Sequence, residues 1–136
     1  MQMMVTARYP LQSVFAIIDA GDLSRVWFSA PSRSLSSVLK VYQGEASGPK
    51  DPEEAKRFIL KGLRSLKEEN FVRTVIMWGD PNCLGDEYGL VFDKRGWYAK
   101  FRIDEDGDLD EISFHPPERE LKTVGGLIIP AGGKVK

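Results

Sequence analysis

The stretch WYAKFRIDEDGDLDEISFH (97–115) decides how this chain folds. Its first half alternates: Trp97, Ala99, Phe101 and Ile103 are apolar, while Tyr98, Lys100 and Arg102 are polar. That period of two belongs to a strand with one face in the core. Asp106-Gly107 is a strong two-residue hairpin signal and returns the chain into DLDEISFH (108–115). Pairing Glu105 with Asp108 across this turn places His115 opposite Tyr98, on the same face.

Working outward, FVRTVIMW (71–78) and DEYGLVFD (86–93) are rich in β-branched and aromatic residues and read as two more strands. Gly79-Asp80-Pro81-Asn82 and Lys94-Arg95-Gly96 are the expected turns between them. Upstream the period changes to that of helices. In 10–21, Leu11, Val14, Phe15 and Ile18 share a face between Pro10 and Gly21. In 34–43, Leu35, Val38, Leu39 and Tyr42 do the same. Asp51 stands as an N-cap before Pro52, with Glu54 at capping-box spacing, and Ala55, Phe58, Ile59, Leu63 and Leu66 follow on one face. Residues 23–29 read as a connector. The expectation is an α+β domain over 1–136, with N-terminal helices followed by an antiparallel meander of about four strands. Residues 116–136, with four glycines, read as an irregular C-terminal extension.

Composition bounds the class. Of 136 residues, 42% are hydrophobic and 29% charged, which fits one globular domain and excludes disordered, collagen-like and coiled-coil chains. The longest apolar run, Val14 to Ile18, falls far short of the roughly 20 residues of a membrane helix. No basic stretch leads into an apolar run near Met1, so no signal peptide is expected. The single cysteine, Cys83, excludes an internal disulfide and any zinc site built on cysteine pairs, so a cytoplasmic location is expected.

Net charge is −1, but residues 104–111 alone carry six acids and no base. Either this block is a solvated turn, or its segregation leaves the rest of the surface positive enough for an anionic ligand. Lys56, Arg57, Lys61, Arg64 and Lys67 form a basic stripe on the third helix, which is equally the solvated face of any amphipathic helix. An EF-hand reading from Asp104 fails, because its sixth and twelfth positions hold Leu109 and His115. Gly125-Gly126 and Gly132-Gly133 lack the context of a phosphate loop, and no nucleophile elbow is present. No spacing favours Cys83 with His115 as a thiol pair.

The face carrying Tyr98, Lys100 and Arg102 beside His115 is what remains. Cations offset charge developing on phosphorus, and an imidazole moves protons near neutral pH, so this face suits a phosphodiester. The alternative is an ordinary solvated sheet face.

Three stretches, in this order and spacing, resemble a known family. VFAIIDAGDLSRVWFSA (14–30) and ILKGLRSLKEENFVRTV (59–75) are the first two. The third runs from Asp86 and Tyr88 through Gly96-Trp97-Tyr98-Ala99-Lys100 to Ile112-Ser113-Phe114. Together they are similar to the MqsR-type toxins, mRNA interferases of bacterial toxin–antitoxin pairs with the RelE-like fold. The resemblance implies metal-independent transesterification of RNA without a cofactor, giving a 2′,3′-cyclic phosphate and a 5′-hydroxyl. It implies RNA as substrate, free or on the ribosome, a cognate antitoxin as partner, and no membrane association. The family's catalytic tyrosine falls on Tyr98, a strand lysine on Arg73, a loop glutamine near Gly85, and a C-terminal strand lysine on His115. On this basis Tyr98, His115 and Arg73 are the expected catalytic residues, and Lys100, Arg102 and Arg95 the expected RNA-binding ones. His115 is cast as general acid or base, Tyr98 as its partner or as a phosphate-orienting group, and Arg73 with Lys100 or Arg102 as the transition-state cations. Two rival classes stand beside this one: a RelE-like binding module without catalysis, and an unrelated small α+β enzyme.

Overall fold

The computed structural model describes residues 6–29 and 31–135. Three helices, α1 (Leu11–Asp19), α2 (Pro31–Val41) and α3 (Pro52–Arg64), pack on one face of a five-stranded sheet. The strands are β1 (Val26–Phe28), β2 (Phe71–Met77), β3 (Asp80–Phe92), β4 (Arg95–Ile103) and β5 (Leu109–His115), in the order β1-β5-β4-β3-β2. The α+β class therefore holds, but the helices do not all come first. β1 lies between α1 and α2 and pairs parallel with β5, making five strands where about four were expected. The reason is edge satisfaction: without β1 the outer edge of β5 would present bare amides. Where β1 ends, Ser29 N–H donates to Ile112 O at 2.9 Å, and Phe114 N–H donates to Ser34 Oγ on α2 at 3.2 Å.

The helical caps follow the sequence logic with one shift. Asp51 Oδ1 accepts from Glu54 N–H at 2.8 Å, as an N-cap does. Glu54 Oε1, however, takes the N–H of Lys50, one residue before the position a capping box would use. On α1 the buried residues are Leu11, Val14 and Ile17. Phe15 is only partly buried, with the Arg64 guanidinium over its ring at 4.3 Å.

Trp97, Ala99 and Phe101 are fully buried against the helices, and Ile103 is half-buried at the rim of the core. Trp97 stacks on Phe114 at 4.9 Å between ring centroids, and Tyr88 on Phe101 at 5.3 Å. One carboxylate lies beneath the sheet: Asp86, fully buried, accepts from the backbone N–H of Arg8 and Tyr9 (3.0 and 2.8 Å) and from Thr74 Oγ1 (2.6 Å). It ties the chain before α1 to β2 and β3.

The turns sit differently from their sequence expectations. β2 and β3 are joined by Trp78-Gly79 (φ 54° and 66°), so Asp80 already pairs with Met77. β3 and β4 are joined by Asp93-Lys94 (φ 52° and 64°), one residue earlier than the Lys94-Arg95-Gly96 expected. Both are two-residue loops with left-handed backbone at both positions, the geometry that matches strand twist. Between β4 and β5 the loop has three residues: Asp104 N–H donates to Asp108 O at 2.9 Å, and Gly107 takes φ 80°. That moves the register by one. A bulge opposite Phe101, with Glu111 at φ 53°, moves it back, and Tyr98 pairs with His115.

Residues 116–135, expected to be irregular, include β6 (Leu121–Lys122) and β7 (Ile128–Ile129), an antiparallel pair. Val124 and Gly125 donate to Phe71 O and Glu69 O at 2.8 and 3.0 Å. Ile129 is fully buried over Gly89 and Gly96; a Cβ on Gly96 would lie 2.4 Å from Ile129 Cγ2. The tail thus covers one end of the sheet face opposite the helices.

Candidate functional site

The uncovered part of that face is a cleft of about 740 Å³. Its floor is set by strand register. Arg73, Glu87, Lys100 and Ser113 form one row across β2, β3, β4 and β5. Gly89, Tyr98 and His115 form the next. Ser29, Arg33 and Ser37 from the β1–α2 region, and Pro116 with Glu118 to Lys122 from the tail, complete its lining.

The row contacts make one connected group. Glu87 Oε1 accepts from Arg73 Nε at 2.7 Å, and Glu87 Oε2 accepts from the Tyr98 hydroxyl at 2.5 Å. The Glu87 side chain is 12% exposed and that of Arg73 67%, so the guanidinium remains open to the cleft although its Nε is taken. On the other side of Tyr98, the His115 ring stacks at 4.8 Å between centroids with planes 24° apart. His115 Nδ1 lies 2.8 Å from Pro116 O. A carbonyl oxygen can only accept, so Nδ1 carries hydrogen and proton transfer falls to Nε2.

Burial, and then the hydrogen bond to Glu87, push the Tyr98 phenol far above its ordinary ionisation. It therefore donates a hydrogen bond and does not act as a base. The separate hydrogen bond from Arg73 Nε to Glu87 raises the already high affinity of the Arg73 guanidinium for its proton.

Of the six residues the sequence singled out, Tyr98, His115, Arg73 and Lys100 line this cleft and Arg102 and Arg95 do not. Arg102 lies on the same face of β4 but is held by Asp110 (3.1 Å) and Glu105 (3.6 Å), with its guanidinium 6.0 Å from the Trp78 ring. Arg95 points to the helical side, over the Tyr42 ring at 4.6 Å and bonded to both Glu45 oxygens at 2.8 and 2.7 Å. The acidic block is thereby explained in part: Asp110 and Glu105 neutralise Arg102, and Asp108 binds Arg25 at 3.1 Å. Asp104 Oδ1 accepts from the N–H of Asp106 and Asp108 and closes the hairpin loop. Among the described residues, no group of three or more His, Cys, Asp or Glu is placed to hold a metal ion. Cys83 is buried outside the cleft, its thiol pushed up by burial, so it makes no pair with His115.

Sequence reading missed Glu87, Arg33, Arg119 and Lys122. Glu87 had a usable signal: the Asp93-Lys94 turn places it opposite Lys100. The other three come from a helix and a tail whose placement is purely tertiary. Together the described residues lining the cleft include five basic and three acidic side chains. Comparison with protein-family models, curated proteins and solved structures found no match. Among the described residues, no helix is long and apolar enough to cross a membrane.

Proposed function

We propose that this chain is a toxin-like mRNA interferase with a RelE-like fold, cleaving RNA by 2′-hydroxyl transesterification in the cytoplasm and neutralised by a cognate antitoxin. The observation that carries the reading is the pairing of His115 with Tyr98 at a cleft that also holds Arg73 and Lys100. In this reading the 2′-oxygen attacks the adjacent phosphorus and the 5′-oxygen leaves. Lys100 and the open side of Arg73 stabilise the extra negative charge on the phosphoryl oxygens, a task for which preorganised cations are effective. His115 moves one of the two protons through Nε2. Tyr98 holds the imidazole plane by stacking.

Purified protein incubated with a natural message tests this directly. Fragments ending in 2′,3′-cyclic phosphate and beginning with 5′-hydroxyl are expected, together with growth arrest when the protein is expressed without its antitoxin. Intact RNA from folded protein, with harmless expression, sinks the reading.

One observation favours the rival binding module. Glu87 neutralises Arg73, and Glu118 and Glu120 offset further cations of the cleft. A module of that kind binds RNA with a shallow salt dependence and leaves it uncut.

A further inference from the structure

Transesterification needs two proton-transfer groups, and His115 supplies one. Tyr98 is the expected partner, yet its hydroxyl hydrogen is already directed at Glu87. A phenol in that position has no proton to spare for a leaving group unless it first gives up this bond. Glu87 itself lies on the cleft floor, in the row between Arg73 and Lys100 and beside Tyr98. The groups facing it are Arg73 from β2 and Tyr98 and Lys100 from β4; the tail side of the cleft adds Glu118, Arg119 and Glu120. Each Glu87 oxygen accepts one hydrogen bond from this set and retains capacity for another acceptor contact. Glu87 is therefore a carboxylate fixed on the cleft floor, one oxygen held by Arg73 and the other by Tyr98, in the row next to that of His115.

The geometry points to Glu87 as the general base and His115 as the general acid of the reaction, an assignment that rests on the RNA-cleaving reading above. The 2′-oxygen forms its bond to phosphorus as its proton passes to the Glu87 carboxylate. The bond from phosphorus to the 5′-oxygen breaks, the electron pair going to that oxygen, which takes the Nε2 proton of the His115 imidazolium. The products are a 2′,3′-cyclic phosphate and a 5′-hydroxyl, with Glu87 protonated and His115 neutral. Proton exchange with water restores both. Tyr98 becomes a positioning residue: its hydroxyl orients the base and its ring orients the acid.

The test is the pH profile of kcat/KM for cleavage of a short RNA. The wild-type rate rises with pH on an acid limb as the base ionises and falls on an alkaline limb as the acid loses its proton. E87Q, which keeps the size of the side chain, is expected to lose the acid limb and cut the rate by about 10²–10⁴-fold. It should still bind a 2′-O-methyl version of the same RNA. Wild-type rate in E87Q, with the acid limb intact, overturns the assignment and leaves the RNA-cleaving reading standing. Should E87Q lose structure by near-ultraviolet dichroism, Glu87→Asp carries the test: a retained acid limb at reduced rate supports the base, and an unchanged rate overturns it. If wild-type protein yields no cyclic-phosphate ends, the RNA-cleaving reading fails and this assignment falls with it.

Discussion

The rings of Tyr98 and His115 stack directly across the β4–β5 ladder, 4.8 Å apart, with the Tyr98 hydroxyl on Glu87 and His115 Nδ1 on Pro116 O. The phenol therefore links the two groups best suited to move protons in the cleft. His115→Ala should cut RNA cleavage by at least about 10²-fold. The fold should survive, because His115 ends its strand half-buried at the cleft and is not part of the hydrophobic core. Initial rates beside a circular-dichroism melt check both points. Full activity in the variant removes His115 from the mechanism.

The tyrosines set an alkaline limit on stability. Burial followed by Glu87 raises Tyr98, burial followed by Asp93 raises Tyr42, and burial followed by Asp86 raises Tyr88. A folded value above the unfolded one contributes stability that is complete below the unfolded value, near pH 10, and is lost as pH rises past it. Melting temperature should therefore begin to fall at about pH 10 and keep falling above it, and Tyr98→Phe should make that fall shallower. Identical slopes for the two proteins would show that Tyr98 contributes nothing to it.

Gly96→Ala should loosen the tail. Its Cβ would fall 2.4 Å from Ile129 Cγ2 and 3.2 Å from the Gly133 Cα, and backbone cannot easily yield. Ile129→Ala attacks the same contact from the other side and should cost about 2–5 kcal/mol, since Ile129 is fully buried. Hydrogen exchange at Val124 and Gly125, whose amides bond to Phe71 O and Glu69 O, reports the loosening. Unchanged protection in Gly96→Ala contradicts the packing.

Asp86→Ala should be among the most damaging single changes. It removes the shared acceptor of the Arg8 and Tyr9 amides and the Thr74 hydroxyl, three part-buried hydrogen bonds worth about 1 kcal/mol or more each because the acceptor is a carboxylate. Thr74→Val removes only one of the three bonds and should cost about 1 kcal/mol. Urea unfolding of both variants gives the comparison. A smaller effect from Asp86→Ala than from Thr74→Val would mean that Asp86 is not what ties down the chain before α1.

Periodicity and caps are local properties, and they were legible. The alternation of 97–103 put Trp97 and Phe101 in the core and Tyr98 and Lys100 on the other face, because side-chain direction in a strand depends only on parity. Asp51 announced α3 because a cap needs only its own next three residues. The Tyr98–His115 pair came out as expected by a different route: a loop one residue longer than a two-residue turn, then a one-residue bulge at Glu111 that cancels it.

The tertiary structure alone decided the rest. Counting outward from Met77–Asp80 places Arg73 opposite Leu84, but an irregularity at residues 81–83 places it opposite Glu87 and creates the ion pair of the site. Arg102 and Arg95 were expected to bind RNA together with Lys100, yet Asp110 and Glu105 claim the first and Glu45 the second. β1 joined β5, and the tail covered Gly89 and Gly96, because edge amides and apolar sheet surface must be covered by whatever segment the compact chain brings near. Which charges remain free to meet a ligand depends on contacts between residues far apart in sequence, such as Arg95 with Glu45. No local pattern records those contacts.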